Sequence, residues 1–236
     1  MGSFQLKVKS ENNEICLVGV NGINVTSQGV FDDLPLYEGQ AFYESDEKIL
    51  VDTVFYKGEL THITKIEGCS FSHCKSLREI YISQYVKSIN WNMYGCEKLE
   101  NIYVDSRNGF YTDIEGVLYK KAFGGVNKLV GFPSGRTGKY SILNGVNEIC
   151  NCAFKSSKLS QIDIPDSVEV IGSNVFYMCN NLNEIVLPKN LRVFRLNCNP
   201  KQNRKLVPVP QRFYLFDDKN KLHPYNSFEI SEMFPE

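Results

Sequence analysis

Long hydrophobic runs and an excess of charge of either sign are both missing from this sequence of 236 residues. A membrane-spanning helix needs about eighteen or more consecutive apolar residues, and no such run is present. The 26 Lys and Arg residues are balanced by 27 Asp and Glu residues, which leaves a net charge of −1. This balance argues against binding nucleic acid or a membrane surface through a basic face. We therefore predict neither nucleic-acid binding nor membrane insertion.

Histidine is also scarce, with three in the whole chain. His73 and Cys74 stand too close to Cys69 for a zinc site, and no matched second pair of ligands follows. No serine or cysteine stands in a recognisable nucleophile motif. The sequence therefore predicts no enzymatic activity, no bound metal and no cofactor.

The first ten residues alternate apolar and polar side chains and lack the continuous apolar stretch of a signal peptide. We therefore expect a chain that is either cytosolic or already trimmed.

The middle of the chain contains a repeat. Apolar positions of one motif, L-x-x-I-x-I, return after 22 or 23 residues, as from Leu77 to Leu99 and from Leu159 to Leu182. A shorter signal is an apolar residue followed by another three positions later, and it occurs at Ile63/Ile66, Val86/Ile89, Val146/Ile149, Val168/Ile171 and Leu191/Phe194. A period in the twenties with this motif is typical of a leucine-rich-repeat solenoid, in which each coil covers the apolar edge of its neighbour.

The combined pattern, V-x-x-I-(G)-x-x-A/S-F-x-x-C-x-x-L-x-x-I-x-I-P, resembles the BspA-like leucine-rich repeat family. It is carried by Cys152-Ala153-Phe154, by Ser70 to Cys74, and by Asp163-Ile164-Pro165. The stretch from Asn108 to Pro133 is similar to the longer coil that interrupts such arrays. The resemblance covers about residues 60–194.

The repeat and the resemblance together predict a horseshoe-like solenoid of the α/β-horseshoe class. We expect mainly parallel β structure with short turns or single helical turns, and non-repeat caps at both ends. The predicted divisions are an N-terminal cap at 1–59, repeats at 60–195 with a longer coil at 105–145, and a C-terminal cap or tail at 196–236.

Three local patterns outside the regular copies predict strands. Residues 4–8 and 15–20 read as two strands separated by a turn-prone segment. Glu115-Gly116, between two apolar and aromatic stretches, predicts a β-hairpin.

Five of the eight cysteines follow the phase of the repeat, and Cys69 and Cys152 share one such position. Cys74, Cys96 and Cys179 occupy one equivalent position, at which Ser157 stands in another copy. A residue type that recurs by phase fills a small slot in each coil, so we predict buried free thiols. Because Cys74 and Cys96 lie in adjacent coils, a disulfide between them is an alternative.

The strands of the repeat should present every second side chain outwards, on the concave face. Tyr81 and Tyr103 share a phase, so they should lie side by side and form a rigid aromatic pair suited to protein interfaces. Shielding of the sheet by the two rings is the alternative explanation. The predicted partner-binding residues are Arg78, Glu79, Tyr81, Glu100, Asn101, Tyr103, Gln161, Asp163 and Glu184.

The family resemblance implies a noncatalytic protein-interaction module, displayed on or released from a microbial cell to adhere to host proteins or other cells. Two alternatives remain open at this stage. The absence of a signal peptide and the predicted free thiols favour an intracellular scaffold or structural spacer. The pair of tyrosines favours a surface protein that binds carbohydrate.

Overall fold

The structure, a computed structural model, describes residues 5–11, 14–21, 47–56, 59–68, 70–195, 212–217, 219–226, 229–230 and 233–234. They fall into two compact units, with the boundary between Leu118 and Tyr119. Residues 22–46 and 196–211, which belong to the two predicted caps, lie outside the described residues. The horseshoe curvature, the caps and the domain boundaries therefore stay predictions.

Unit 1 is built from short strands in two sheets and a hairpin. Its described strands are β1 (Gln5–Glu11), β2 (Glu14–Asn21), β3 (Lys48–Val51), β4 (Thr53–Tyr56), β5 (Glu59–His62), β6 (Lys65–Ile66), β7 (Glu79–Ile82), β8 (Ser88–Ile89), β9 (Asn101–Val104) and β10 (Tyr111–Ile114). One sheet has the order β1-β2-β6-β8, another the order β3-β7-β9, and β4 pairs with β5. The two predicted N-terminal strands are confirmed as β1 and β2, which pair antiparallel.

Strand β11 (Val117–Ala122) leads from unit 1 into unit 2. The described strands that follow are β12 (Gly125–Gly131), β13 (Thr137–Ser141), β14 (Glu148–Ile149), β15 (Lys158–Asp163), β16 (Val170–Ile171), β17 (Glu184–Val186), β18 (Val193–Phe194), β19 (Arg212–Phe216) and β20 (Leu222–Tyr225). Strands β12, β14, β16 and β18 are successive neighbours, β13 pairs with β15, and the third sheet has the order β17-β19-β20.

The repeat stacks in parallel, as its spacing predicted. In unit 1, β7 pairs in parallel with both β3 and β9. In unit 2, parallel pairing joins Leu129 to Ile149, Ile149 to Ile171, and Ile171 to Phe194. All four of these side chains are buried. Each two-residue V-x-x-I strand thus contributes one core side chain to a continuous row.

The strands with the L-x-x-I-x-I motif differ in one detail from the sequence prediction. The motif itself starts at Leu77 and at Leu99, but β7 and β9 begin two residues later. The reason is that both leucine N–H groups close the preceding turn, with Leu77 N bonding to Cys74 O at 3.1 Å and Leu99 N to Cys96 O at 3.2 Å. The leucine is therefore the last residue of the turn and still points into the core.

The predicted hairpin at Glu115-Gly116 is confirmed. It joins β10 to β11, and both turn residues have positive φ, 51° for Glu115 and 74° for Gly116. Two positive φ angles define a type I′ turn, whose twist matches that of paired strands.

Aromatic rings in phase with the repeat fill the core of unit 2. The Phe154 ring stacks on Phe132, with 5.1 Å between centroids, and lies 6.2 Å from Phe176. Phe176 continues the row to Phe194 at 6.5 Å, and Phe194 contacts Phe213 of β19 at 5.6 Å. The row therefore passes from the repeat to the C-terminal hairpin β19–β20.

The prediction of buried thiols is confirmed at the position that Cys74, Cys96 and Cys179 share, but Cys150 and Cys152 are only half-buried. The thiols of Cys74 and Cys96 are buried and not joined in a disulfide, so the alternative bridge between them is not formed. Burial raises the pKa of the Cys179 thiol to about 12. The pKa of Cys96 is raised too, first by its hydrogen bond with Cys74 and then by burial.

Candidate protein-interaction surface

The outer face of unit 1 consists of the side chains that point away from the core on β3, β7 and β9, together with the residue directly before each of these strands. Register places Tyr81 directly beside Tyr103. Their rings stack with 4.9 Å between centroids and 29° between planes. The adjacency predicted from the sequence is confirmed, whereas a role of the pair in binding stays a prediction.

The hydroxyl of Tyr81 is engaged within the same face. It donates a hydrogen bond to Glu79 Oε2 at 2.6 Å, and Lys48 Nζ lies 3.1 Å from the same oxygen. The bond from Tyr81, followed by the contact with Lys48, holds the pKa of Glu79 below its ordinary value. Glu79 is therefore ionised at neutral pH and fixed in position.

Arg78 lies between two glutamates on the same face. Its Nε is 3.2 Å from Glu47 Oε2, and its Nη1 donates to Glu100 Oε1. Asn101 lies beside Glu79 in the register of β7 and β9. The charged residues of this face thus form ion pairs with one another, which lowers their value as anchors for a partner.

In unit 2, Asp163 is the centre of a polar cluster on β13 and β15. Lys139 Nζ lies 2.9 Å from Asp163 Oδ2, which also accepts a hydrogen bond of 2.8 Å from Ser141 Oγ. Gln161 Nε2 donates to the other carboxylate oxygen at 3.2 Å. Lys139 first, then Ser141, lowers the pKa of the Asp163 carboxyl.

Glu184 on β17 faces the C-terminal hairpin. Strand β17 pairs in parallel with β19, with Glu184 opposite Arg212 and Val186 opposite Tyr214. Glu184 Oε1 accepts a hydrogen bond of 3.3 Å from Tyr214 Oη and lies 3.6 Å from Arg212 Nη1. The hairpin thereby brings aromatic side chains next to a repeat strand.

These strands of unit 2 line a groove with a volume of about 980 Å³. Two of its apolar side chains are unusually exposed, Val186 at 41% and Leu222 at 45%. The lining residues are Ser160, Gln161, Ile162, Asp163, Ile164, Pro165, Asp166, Asn183, Glu184, Val186, Lys189, Tyr214, Phe216 and Leu222. The groove therefore combines apolar, amide and carboxylate groups on a solvent-facing surface, as binding sites for macromolecules or small ligands do.

The nine residues predicted from the sequence divide between the two units, and none of the nine is buried. Those in unit 1 are Arg78, Glu79, Tyr81, Glu100, Asn101 and Tyr103. Those in unit 2 are Gln161, Asp163 and Glu184, and all three line the groove.

Sequence reasoning missed the residues that the hairpin β19–β20 adds to the groove. The sequence analysis places the end of the repeats at residue 195, so Tyr214, Phe216 and Leu222 fall in the predicted C-terminal cap or tail. The signal for them was weak, because Tyr214 and Phe216 alternate with the buried Phe213 as in any half-buried strand.

The three histidines engage in local contacts. His62 stacks on Tyr85 with 3.5 Å between centroids, and His73 meets Tyr94 edge-on at 4.9 Å. His223 Nε2 lies 2.9 Å from Asp217 Oδ2. Within the described ranges, no three His, Cys, Asp or Glu side chains come together as metal ligands.

The parallel stack of repeat strands, with its phased leucines and cysteines, defines a leucine-rich-repeat fold. Residues 39–129 and 134–219 match, in six copies, the family described as BspA type Leucine rich repeat region. The chain belongs to this family, and the resemblance seen in the sequence is confirmed. Leucine-rich-repeat proteins are generally noncatalytic and generally bind other proteins.

The chain is similar to several bacterial proteins of known structure. One is a leucine-rich repeat protein from Eubacterium ventriosum, with 32% identity, a TM-score of 0.46, and coverage of 49% of this chain and 31% of that chain. The pneumococcal vaccine antigen PcpA has 21% identity and a TM-score of 0.38, covering 55% and 40%. A leucine rich cell surface protein from Faecalibacterium prausnitzii has 18% identity and a TM-score of 0.35, covering 80% and 82%.

This chain therefore matches less than half the length of each of the first two proteins. No curated protein matches it. Among the residues that the structure describes, no helix is both long enough and apolar enough to span a membrane.

Proposed function

We propose that the chain is a noncatalytic module that binds a partner protein through the groove of unit 2. The observation that carries this proposal is the groove itself, where exposed apolar side chains and polar groups lie together on the solvent-facing side of the repeat strands. Protein interfaces combine an apolar centre with a polar rim in the same way. The outer face of unit 1 is the weaker candidate, because its charges already pair with one another.

The location we propose is the surface of a microbial cell or its surroundings, where the module adheres to host proteins or to other cells. Membership of the BspA type family supports this location, because proteins of the family are typically displayed or secreted. The proposed partner is a host surface or matrix protein, and the horseshoe curvature with its two caps belongs to the same proposal.

An intracellular scaffold is the second candidate function, and one observation favours it. Among the cysteines that the structure describes, no disulfide involves Cys16, Cys74, Cys96, Cys150, Cys152 or Cys179. Disulfides are common in proteins that work in oxidising surroundings and rare in the cytosol.

A capture experiment tests the proposal. The intact chain, a groove variant with Val186→Ser and Leu222→Ser, and a unit 1 variant with Tyr81→Ala and Tyr103→Ala are immobilised. Each is exposed to host matrix and surface extracts and, separately, to lysate of the source cell. We expect host proteins on the intact chain and on the unit 1 variant, but not on the groove variant.

Equal capture by the intact chain and the groove variant would contradict the groove as the binding site. Capture from the source lysate alone would favour the intracellular scaffold. Circular dichroism and the urea midpoint of each variant verify that it is folded.

A further inference from the structure

The geometry points to an extended peptide as the occupant of the groove, with an apolar side chain next to a lysine or arginine. This inference rests on the proposed function and specifies the chemistry of the partner segment. It combines an exposed apolar patch, an aromatic ring that is already covered, and a carboxylate that has no cationic partner among the described residues.

The apolar patch consists of Val186, Tyr214, Phe216 and Leu222. Residues 214 and 216 are two apart on β19 and so lie on the same face. Val186 is paired with Tyr214 on one side, and Leu222 with Phe216 on the other. Cross-strand partners share a face, so the four side chains form one continuous surface over β17, β19 and β20.

The patch suits an aliphatic side chain better than a sugar ring. Sugar rings stack on open aromatic faces, but Lys189 Nζ lies over the Phe216 ring, 4.6 Å from its centroid. The Tyr214 hydroxyl is directed at Glu184. Val186 and Leu222 are the most exposed side chains of the patch, and both are aliphatic.

The charges of the groove favour a cationic neighbour for that apolar side chain. The lining contains three carboxylates, Asp163, Asp166 and Glu184, against one ammonium, Lys189. Asp163 is paired with Lys139, and Glu184 lies near Arg212.

Asp166 is the carboxylate left for a partner. It accepts a hydrogen bond from the backbone N of Lys189 at 3.0 Å. Across the part of the chain that the structure describes, no cationic side chain lies within ion-pair distance of Asp166. A lysine or arginine of the partner can therefore gain an ion pair here without breaking one.

The Asp166 carboxylate and the apolar patch are the two subsites of the groove, and the position of Lys189 shows how close they are. Its backbone is bound by the Asp166 carboxylate, and its ammonium lies over Phe216. The carboxylate and the patch are thus separated by the length of one lysine residue. Successive Cα atoms are about 3.8 Å apart, so adjacent or next-but-one residues of one extended segment reach both subsites.

Lys189 also has the same charge as the partner's cation. Its ammonium on the Phe216 ring therefore opposes binding of a cationic peptide. Replacing Lys189 with Met keeps an unbranched side chain of similar length over the ring and removes the charge. We expect this change to strengthen binding.

The test uses a random dodecapeptide display library selected on the intact chain, followed by fluorescence polarisation with the selected peptides. We expect selected sequences to place Leu, Ile, Val or Phe within two residues of Lys or Arg. Leu222→Ser should weaken their binding about tenfold. Asp166→Asn, which keeps an acceptor for the Lys189 N–H, should weaken it about two- to fivefold, as expected for one exposed ion pair.

Lys189→Met should tighten binding by a similar factor, and Glu59→Gln on the exposed strand β5 of unit 1 should leave it unchanged. Selected peptides that depend on Leu222 but are acidic, or that bind less well to the Lys189→Met variant, would overturn the inference and leave the proposed function standing. A selection that yields no peptide dependent on Leu222 or Val186 would also overturn it, as would glycan-array binding that Leu222→Ser abolishes. The capture experiment above then decides separately whether the groove binds a protein at all.

Discussion

The Cys179 thiol donates a hydrogen bond to the backbone carbonyl of Phe154 in the preceding coil, with 3.0 Å between Sγ and O. The same contact occurs in unit 1, where Cys96 Sγ lies 2.8 Å from Phe71 O. In unit 2 the Phe154 carbonyl also accepts the N–H of Ser157 within its own turn, at 2.9 Å. The thiol therefore uses the second lone pair of a carbonyl that the turn leaves half satisfied, and this explains why cysteine recurs at this phase.

We predict that Cys179→Ala destabilises the chain by about 1–2 kcal/mol, because it removes the thiol donor and leaves a small cavity. Cys179→Ser should lower the free energy of unfolding by less than Cys179→Ala does. Serine keeps a donor of similar size, and Ser157 already occupies the equivalent position in another coil. Urea unfolding followed by circular dichroism measures both. Equal midpoints for the alanine variant and the intact chain would show that the bond contributes nothing.

The same thiol predicts a loss of stability in alkali. The ordinary pKa of cysteine is 9.0 and that of Cys179 in the folded chain is about 12. Between these values the folded state retains a proton that the unfolded state has lost, so the free energy of unfolding falls as pH rises. The contribution is fully present below pH 9 and is lost as pH rises through about 12, by at most about 1.4 kcal/mol per pH unit.

Cys179→Ser provides the control for this pH dependence. Tyrosines and lysines titrate in the same range in both proteins, so only the difference between the two curves reports on Cys179. We expect the intact chain to lose stability more steeply than the serine variant between pH 9 and 10.5. Parallel curves would contradict a raised pKa for this thiol.

The regular part of the fold was predictable because the sequence repeats one physical requirement in every coil. Leu77 and Leu99 must both be buried, and their spacing of 22 residues allows this only if the coils stack. The buried thiols were predictable for the same reason, because cysteine recurs at one position of the repeat. The hairpin at Glu115-Gly116 was predictable from local turn chemistry, since glycine tolerates positive φ.

The groove could not be predicted in full because three of its 14 lining residues lie beyond residue 195, where the predicted repeats end. Tyr214 and Leu222 belong to the hairpin β19–β20. Its pairing with β17 depends on tertiary contacts, and no periodic pattern in the sequence predicts it. The turn residues that adopt a left-handed backbone conformation could not be predicted from the sequence either. His73, Ser156 and Met178 have φ of 63°, 61° and 59°, which glycine would be expected to occupy.

Hydrogen bonds between successive coils explain how two of these residues tolerate a left-handed conformation. The backbone N of His73 bonds to Tyr94 O at 2.7 Å, and that of Ser156 to Tyr177 O at 2.8 Å. Such bonds offset the cost of about 1–2 kcal/mol for a non-glycine residue in this region. The stacking of neighbouring coils therefore determines the backbone conformation of these turn residues, and the sequence of a single coil is not enough to predict it.

On the outer face of unit 1, Tyr81→Phe should raise the pKa of Glu79 towards its ordinary value. The Tyr81 hydrogen bond is the largest of the contacts that lower this pKa. Glu79 therefore stabilises the fold above its unfolded pKa and loses that contribution as pH falls through its folded pKa. The variant should lose less stability on acidification than the intact chain.

Carboxyl-carbon NMR titration of Glu79 measures the shift. Tyr103→Phe is the matched control, because it preserves both the ring stack and the bond from Tyr81 to Glu79. A Glu79 titration that responds equally to the two variants would show that ring packing, and not the hydroxyl, sets its pKa.

Close approach of two coils in unit 2 predicts that Gly172 does not tolerate a side chain. A Cβ at this position would lie 2.5 Å from Asn151 Oδ1 and 2.7 Å from Asn151 N. The backbone atom cannot move without disturbing the stack, and Asn151 Oδ1 also accepts the N–H of Ser173 at 2.8 Å. Gly172→Ala should therefore destabilise the chain by about 1–3 kcal/mol, the usual cost of overpacking.

Gly109→Ala is the matched control, because a Cβ there would meet no atom within 4 Å. Alanine should be neutral or should stabilise by up to about 1 kcal/mol, since it reduces the freedom of the unfolded chain. Urea midpoints of the two variants measure the difference. If both variants unfold at the same denaturant concentration, the two coils are not in the close contact at Asn151 that the parallel pairing of β14 with β16 requires.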